Sequence, residues 1–162
     1  MTHLYKKLKY PFFLSISTII ADQVTKYLIR IHVAPREQIE IVGGFFRIIH
    51  AKNTGIAFSL FSGINPALMN PILTIINVLI ISAILYLMVR DDSNKLMKFA
   101  YGLVVGGAVG NLLDRFFLGY VIDFLDFYVG YFHWPAFNVA DAAITSGLFL
   151  LIFDMLLPSF RQ

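Results

Sequence analysis

An uncharged apolar stretch over residues 66–89 constrains the fold more than any other feature of the chain, because it contains no Asp, Glu, Lys or Arg. About 20 apolar residues are enough to cross the hydrocarbon core of a bilayer as a helix. Three further stretches approach or reach that length: residues 10–29, 97–115 and 137–157. With 58% hydrophobic and only 14% charged residues, a soluble domain of 162 residues could not hide this apolar surface. The sequence therefore predicts an integral membrane α-helical protein with four transmembrane helices.

The sequence also indicates one membrane-embedded domain over residues 1–162, since it has no low-complexity segment and no convincing repeat. Its N-terminus resembles a secretion signal, because Lys6, Lys7 and Lys9 precede the apolar stretch 11–21. However, no clear Ala-x-Ala cleavage site follows, whereas further apolar stretches do. We therefore expect an uncleaved first transmembrane helix.

The polar composition argues against several kinds of chemistry. The chain has no cysteine, which excludes a thiol nucleophile, a disulfide framework and a lipid-modified cysteine on the protein itself. Its four histidines are far apart and form no His-Glu-x-x-His motif, so we expect no helical zinc site, although carboxylates alone could still bind a metal. The net charge of +3 is dispersed, and the lack of a basic run argues against nucleic acid as a partner.

Positive charges predict the orientation of the four helices. Four crossings put both termini on one side of the membrane, and seven basic residues share that side: Lys6, Lys7, Lys9, Arg90, Lys95, Lys98 and Arg161. The other side holds six, two of them near its border: Arg30, Arg36, Arg47, Lys52, Lys26 and Arg115. The excess favours cytoplasmic termini. Eight polar residues then converge at or near the outer surface, which indicates a site there: Asp22, Asn53, Asn111, Asp114, Arg115, Asp123, Asn138 and Asp141.

Two segments between the predicted helices are expected at the outer surface. Residues 38–62 contain short β-branched and aromatic runs separated by Gly43 and Gly44, which predicts a small sheet of short strands. Residues 116–132 are rich in aromatic residues and poor in charge, which favours a short interfacial helix or lid.

Small residues recur at spacings of four within the third predicted helix: Gly102, Gly106 and Gly110. This spacing places them on one helix face and lets two helices approach closely in lipid. We interpret the stripe as a packing face.

Two acidic residues suggest an activity, because a charged side chain at the centre of a membrane helix costs at least about 2.5–3.5 kcal/mol. Asp123 follows the third predicted helix, and Asp141 lies near the start of the fourth. Asp141 could simply be favoured by the helix N-terminus, and Asp123 could be an exposed loop carboxylate like Asp126. If Asp123 and Asp141 meet, like-charge repulsion keeps one protonated, and such a pair can serve as base and acid in peptide hydrolysis.

Asparagine residues accompany both acids. Asn111 shares a helix face with Asp114 and Arg115, which fits either a helix-end salt bridge or a group that holds a substrate backbone or a lipid headgroup. Asn138 precedes Asp141 by three residues and therefore shares its face.

Two further motifs can be explained by local structure alone. Asp22 and Lys26 are spaced as i and i+4, which is typical of an ion pair on a helix. The segment from Asn53 to Ser59 is a turn followed by an apolar patch, since Asn and Gly favour left-handed backbone conformations.

Taken together, these motifs resemble lipoprotein signal peptidase, also called signal peptidase II. The resemblance runs over roughly residues 10–157 and consists of five blocks in order: Asp22-Gln-x-x-Lys26, Asn53-Thr-Gly-x-Ala-Phe-Ser59, Gly107-x-x-Gly-Asn-x-x-Asp-Arg115, Gly119-x-Val-x-Asp-Phe124 and Phe137-Asn-Val-Ala-Asp141. Ile56 and Ala142 depart from residues frequent in that family, Ala and Ser respectively, and neither departure removes a side chain assigned to the chemistry.

The resemblance implies specific roles for these residues. Asp123 and Asp141 would be the catalytic aspartates of a protease that needs no metal or other cofactor. Four residues would line the site and bind substrate: Asn53, Asn111, Arg115 and Asn138. Four would support its architecture: Asp22, Lys26, Gly55 and Asp114. The family's fold has four transmembrane helices, a small extracytoplasmic β-cradle and a short extracytoplasmic amphipathic helix.

The resemblance also implies a substrate and a location. Members of the family remove signal peptides from prolipoproteins in the bacterial cytoplasmic (inner) membrane, cutting before a cysteine that already carries diacylglycerol. We expect an active site on the outer (periplasmic) side, contact with membrane lipids and a monomer, since nothing in the sequence demands more than one copy.

Three alternatives remain open at this point. Intramembrane acids also suit a small proton-coupled transporter, although the polar residues gather at one surface and no inverted repeat is evident. A non-catalytic membrane adaptor could use the same acids for salt bridges only. Another kind of intramembrane aspartyl protease is disfavoured because the Gly-x-Gly-Asp motif of presenilin-type enzymes is missing.

Overall fold

The computed structural model describes residues 2–55, 66–90 and 94–156. Along this described part the elements follow in the order α1 (Thr2–His32), β1 (Gln38–Val42), β2 (Phe46–Asn53), α2 (Pro66–Arg90), α3 (Lys95–Leu118), β3 (Val121–Val129), β4 (Phe132–His133) and α4 (Val139–Leu156). Each of the four helices is long and apolar enough to cross a membrane. The prediction of four transmembrane helices is therefore confirmed, and the chain is a multi-pass membrane protein.

Helix α3 lies at the centre of the bundle and contacts the other three helices. Its glycines make this possible, because a Cβ atom at Gly106 would lie 2.7 Å from Thr18 Cβ and 2.8 Å from Ser15 O of α1. A Cβ at Gly102 would lie 2.9 Å from Pro11 O of the same helix. The predicted packing face is thus the seam between α1 and α3.

Both ends of α3 are fixed by capping interactions. At its start, the Asn94 side chain accepts a hydrogen bond from Met97 N and donates one of 2.9 Å to Asp154 Oδ1 of α4. At its end, Gly119 adopts a φ of 80°, in the left-handed region that favours glycine, and its N–H bonds to Arg115 O. Gly119 therefore lets the chain leave the helix and enter β3 within two residues.

The four strands form one antiparallel sheet in the order β1-β2-β3-β4. Ala51 pairs with Asp123 and Asn53 pairs with Val121, and the register shifts between Ile48 and Ala51. The sheet predicted over residues 38–62 is present up to Asn53, whereas residues 56–62 lie outside the described residues. Because β3 follows α3 directly, the sheet brings β2 to the same end of the bundle.

The short interfacial helix predicted over residues 116–132 is not formed, whereas the lid predicted as its alternative stays a prediction. Residues 116–118 complete α3, and β3 and the start of β4 occupy most of the remainder. The sequence of β3 is Val-Ile-Asp-Phe-Leu-Asp-Phe-Tyr-Val, in which β-branched and aromatic residues predominate. Such residues favour strands. The edge of β2 supplies the hydrogen-bond partners that a strand at these positions requires.

Candidate active site

A buried ion cluster forms the base of a polar site where the C-terminal halves of α1 and α3 meet the start of α4. The Lys26 side chain is 2% exposed, and its Nζ lies 2.8 Å from Asp22 Oδ2 and 3.0 Å from Asp114 Oδ2. The same nitrogen donates a 3.0 Å hydrogen bond to Asn111 Oδ1. An ammonium has three protons to donate, so all of them find partners. Lys26 thus lies at the base of the site, and its supporting role stays a prediction.

The two carboxylates of this cluster tie further elements to it. Ala140 N donates to Asp22 Oδ1 at 2.9 Å, which fixes the first turn of α4. Ile122 N donates to Asp114 Oδ2 at 3.1 Å, which fixes the start of β3. Gln23 Nε2 lies 3.1 Å from an oxygen of each carboxylate. Helix α1 thereby holds both elements that carry the candidate acids.

Asp123 lies on β3 with 3% of its surface exposed. Its Oδ1 accepts a 2.7 Å hydrogen bond from Asn138 Nδ2, and its Oδ2 accepts one of 2.9 Å from Asn53 Nδ2. The pKa of its carboxyl is raised to about 7, mainly because burial disfavours the charged form and then because the charge of Asp141 repels it. The two asparagine hydrogen bonds act in the opposite direction. Asp123 therefore titrates near neutral pH and interacts with Asp141.

Asp141 lies in the first turn of α4, and it forms a reciprocal cap with Asn138. Asp141 N donates to Asn138 Oδ1 at 2.9 Å, and Asn138 N donates to Asp141 Oδ2 at 3.3 Å. The other carboxylate oxygen, Oδ1, accepts a 2.8 Å hydrogen bond from Asn111 Nδ2. The helix-terminus interpretation of Asp141 is thus correct but incomplete, because one oxygen belongs to the polar site.

Asn138 connects the surroundings of the two acids. It is fully buried, and its Nδ2 lies within 3.3 Å of Asn111 Oδ1 as well as 2.7 Å from Asp123 Oδ1. Asn111 in turn binds both Lys26 and Asp141. A continuous chain of hydrogen bonds therefore runs from the ion cluster through two asparagines to both carboxyl groups.

Two more of the expected site residues, Gly55 and Arg115, border this network. Gly55 N donates to Asn53 Oδ1 at 2.8 Å, and Gly55 has a φ of 95°, so only glycine fits this turn without strain. A Cβ on Gly55 would also collide with Leu73 of α2. Arg115 is half-buried with Nη1 3.5 Å from Asn111 O, and its charge interacts with those of Asp123 and Asp141. Residues 56–59 of the motif that begins at Asn53 lie outside the described residues.

The comparison of Asp123 with an exposed Asp126 is wrong. Asp126 is also 3% exposed, and its Oδ2 lies 2.6 Å from Arg47 Nε. His133 Nδ1 lies 3.1 Å from its Oδ1. The two acids of β3 therefore belong to different networks, and only Asp123 joins the asparagines.

One contributor went unassigned at the level of sequence. Gln23 bridges Asp22 and Asp114, and it also donates to Gly110 O at 3.1 Å. Its position inside the Asp22-Gln-x-x-Lys26 motif was the available signal. Within the part of the chain that the structure describes, no group of three His, Asp or Glu side chains is placed to hold a metal ion.

Comparison with known proteins places the chain in a family. The family profile described as signal peptidase (SPase) II matches residues 14–157. The chain belongs to the signal peptidase II family. This family consists of aspartic proteases, and the chain is accordingly a membrane protease that removes signal peptides from prolipoproteins.

Individual relatives agree with this assignment. A lipoprotein signal peptidase of Desulforapulum autotrophicum is 42% identical over 144 residues, which are 87% of this chain and 89% of the relative. A lipoprotein signal peptidase of Francisella tularensis subsp. novicida is 41% identical over 153 residues, 94% of either chain. Among solved structures, a bacterial membrane enzyme determined by the in meso method at 2.3 Å matches with a TM-score of 0.81 and 32% identity. That match covers 94% of this chain and 91% of the other.

Proposed function

We propose that Asp123 and Asp141 are the catalytic pair of this signal peptidase II, and that they cleave a prolipoprotein just before a cysteine bearing a diacylglyceryl group. The observation that carries the proposal is the chain of hydrogen bonds that links both carboxyl groups through Asn111 and Asn138. A pKa of about 7 for Asp123, raised in part by the charge of Asp141, is what a pair sharing one proton requires.

The proposed mechanism gives the two acids different tasks. Asp141 is the ionised member that takes a proton from water, because Asp123, with a pKa of about 7, holds the one proton that the pair shares. Asp123 carries the shared proton below about pH 7 and donates it to the carbonyl oxygen of the cut bond. The hydroxide adds to the carbonyl carbon and gives a gem-diol. As the C–N bond breaks, Asp141 passes the proton taken from water to the leaving nitrogen, and Asp123 regains a proton from a diol hydroxyl, which leaves a carboxylic acid and an amine.

The asparagines divide into two groups in this proposal. Asn111 and Asn138 are positioning residues, because their side chains already bind the carboxyl groups and each other. Asn53 and Arg115 contact the substrate backbone near the cut bond. Arg115 suits this task because it is half-buried beside both acids, where a guanidinium can donate to carbonyl oxygens.

The proposed depth of the reaction is the membrane surface. Exposed aromatic side chains surround this end of the bundle, as in the aromatic belts of membrane proteins: Phe116, Phe117, Tyr131, Phe132 and Trp134. At that depth water reaches the cut bond, while the acyl chains on the cysteine stay in lipid. Membrane lipids and the diacylglyceryl group would thus keep the cut bond at the depth of the two acids.

We further propose that this end of the bundle faces the periplasm and that both termini are cytoplasmic, in the bacterial inner membrane. The basic residues of the opposite end support this orientation, and Lys7 Nζ donates to Val89 O there at 2.9 Å. The enzyme is expected to act as a monomer, since one chain supplies every member of the hydrogen-bonded network.

The test is substitution of either acid by the isosteric amide. Asp123→Asn and Asp141→Asn should each lower kcat about 10²–10⁴-fold, because a general acid or base contributes roughly that factor. Cleavage of a diacylglyceryl prolipoprotein by the purified enzyme, and accumulation of the precursor in cells, are the measurements. Asp126→Asn is the matched control, because Asp126 is equally buried on the same strand but pairs with Arg47. Full-rate processing by a folded Asp123→Asn or Asp141→Asn enzyme would overturn the proposal, and catalysis would then depend on other residues of the chain.

A further inference from the structure

A cavity of about 250 Å³ lies between the C-terminal parts of α1 and α3, behind the strand that carries Asp123. Its lining includes six residues of α1, α3 and β3: Gln23, Tyr27, Arg30, Leu113, Phe117 and Ile122. Lys26 and Asp114 form its buried wall. Asp123 and Asp141 are not part of the lining, so the cavity is separate from the proposed catalytic pair.

Arg30 supplies the charge at this cavity. It is exposed, and among the described residues no hydrogen bond or ion pair engages its guanidinium. Lys26, one helical turn earlier, is occupied by Asp22, Asp114 and Asn111. The guanidinium is therefore the cation that is available to a ligand.

The carboxylate of Asp114 also borders the cavity, and it would repel an anion if its charge were uncompensated. Its two oxygens accept hydrogen bonds from Gln23 and Ile122, and Lys26 lies 3.0 Å away. Asp114 is only 3% exposed. An anion beside Arg30 thus meets an open guanidinium, whereas the one negative charge that Lys26 leaves on Asp22 and Asp114 is buried.

The surroundings of Arg30 have the character of a lipid interface. Tyr27 and Phe117 are exposed by 59% and 72%, and aromatic side chains of this kind gather where headgroups meet acyl chains. Ile20 and Val24 precede Tyr27 by seven and three residues, so they extend the same exposed face of α1 towards the membrane interior. A charged guanidinium, an exposed aromatic side chain and an apolar helix face thus follow one another along α1. A ligand with a charged headgroup and apolar tails would fit this order.

We propose that this cavity binds the phosphodiester headgroup of a membrane phospholipid. Arg30 contacts the phosphate, since the planar guanidinium matches phosphate oxygens in a two-pronged geometry. The acyl chains lie along Ile20 and Val24 of α1. Free phosphate shares the headgroup's chemistry but lacks the tails, and we assign the site to the lipid because the apolar face is continuous with the cavity.

Bound lipid would also support the catalytic strand. Ile122 lines the cavity, its N–H binds Asp114, and the next residue is Asp123. A headgroup packed in the cavity against Ile122 would therefore reduce movement of β3. This second step rests on the proposed catalytic role of Asp123, whereas the binding site itself does not.

The binding test uses the full chain in dodecyl maltoside micelles, which contain no phosphate. Thermal unfolding is followed while dioleoylphosphatidylglycerol, a digalactosyl lipid with the same acyl chains, or sodium phosphate is added. The phospholipid should raise the unfolding temperature with saturation, and the galactolipid and inorganic phosphate should not. An equal rise with the galactolipid would show general lipid solvation, and a saturating rise with inorganic phosphate would show a free-anion site. Either result would overturn the proposal without any variant.

Two variants then locate the site. Arg30→Gln should weaken the apparent phospholipid affinity at least tenfold. Arg36→Gln removes the same charge from an exposed residue outside the cavity and should leave the affinity unchanged. Equal weakening by both variants, or none by Arg30→Gln, would rule out the cavity as the site.

The coupling to β3 has its own measurement. Phospholipid should slow amide hydrogen exchange over residues 121–125 in the wild-type enzyme and in Asp123→Asn alike. Saturable binding without slower exchange would overturn the coupling and leave the site. Because Asp123→Asn tests binding without catalysis, a failure of the proposed catalytic pair would not be mistaken for a failure of the lipid site.

Discussion

At the scale of single residues, the charge of Lys26 stabilises the site, because it pairs with two buried carboxylates that would be costly to bury alone. Its ammonium pairs with two carboxylates that each fix another element, Asp22 the start of α4 and Asp114 the start of β3. Without the ammonium, both carboxylates would remain buried and would repel each other. We therefore expect substitution of Lys26 to damage the enzyme as severely as substitution of the proposed catalytic acids.

We expect Lys26→Met to destabilise the folded enzyme by about 3–5 kcal/mol, which is the usual cost of removing one partner from a buried ion pair. Thermal unfolding in detergent micelles measures the change, and activity should fall in parallel. Lys52→Met provides the control, because Lys52 is exposed on β2. An unchanged unfolding temperature for Lys26→Met would show that the ion cluster does not hold α4 and β3 in place.

The titration of Asp123 predicts the alkaline side of the pH–rate profile. Its pKa is about 7 and lies above the ordinary value, so the carboxyl is neutral below that pH and ionised above it. If one proton must be shared, kcat/KM falls as pH rises through about 7. Asn53 donates to Asp123 and lowers this pKa, so Asn53→Ala should move the alkaline limb to higher pH.

The pH–rate profiles of the wild type, Asn53→Ala and Thr54→Ala provide the comparison. Thr54 is the exposed neighbour of Asn53, and its replacement should leave the limb in place. If the alkaline limb of Asn53→Ala stays in place or moves to lower pH, the pH dependence does not arise from titration of Asp123.

At the scale of helices and strands, the position of the site depends on how closely α3 approaches α1 and α4. A Cβ on Gly110 would lie 2.6 Å from Asp22 Oδ2 and 3.4 Å from Ala140 Cβ. A Cβ on Gly107 would collide with Ala140 O. The glycine stripe is thus a condition for the ion cluster as well as for helix packing.

Gly110→Ala should therefore displace Asp22 from Lys26 and Ala140, at a cost of about 1–3 kcal/mol in the free energy of unfolding, as for other overpacked interiors. Activity should fall with it, because the start of α4 carries Asp141. Unfolding temperature and cleavage rate are measured side by side. Gly43→Ala is the control, since its Cβ would meet its nearest neighbour, Glu40 Oε2, only at 3.9 Å. Wild-type values for Gly110→Ala would mean that α1 and α3 can separate without harm.

The same elements explain how far the sequence predicts the structure. The four helices and the glycine seam follow from uninterrupted apolar length and from spacing, which are local properties of the chain. The strand at residues 121–129 does not follow from the sequence, because its aromatic residues taken alone also suit an interfacial helix or lid at a membrane surface. Its strand conformation depends on pairing with β2. The hydrogen bonds from Gln23 to Asp114 and from Asn138 to Asp123 join residues that are far apart in the chain, so no local pattern reveals them.

At the scale of the whole molecule, charge and polarity divide the bundle into two ends. The hydrogen-bonded network, the sheet and the exposed aromatic residues lie at one end. At the other end Lys7 contacts Val89 O, and Asn94 contacts Asp154. An excess of lysine and arginine near the second end predicts that it stays in the cytoplasm. On this prediction the site faces the periplasm, where we expect a prolipoprotein to expose its cut bond.

This orientation can be tested because the chain has no cysteine of its own, so an introduced thiol is the only one to react. Lys52 and Lys95 are both exposed, the first on β2 beside the site and the second at the start of α3. In intact spheroplasts a membrane-impermeant maleimide should label Lys52→Cys and leave Lys95→Cys unlabelled until the membrane is opened. Both variants should still process prolipoprotein, because neither lysine contacts the hydrogen-bonded network of the site. Labelling of Lys95→Cys in intact spheroplasts, with Lys52→Cys protected, would invert the topology and put the acids on the side that a translocated substrate has already left.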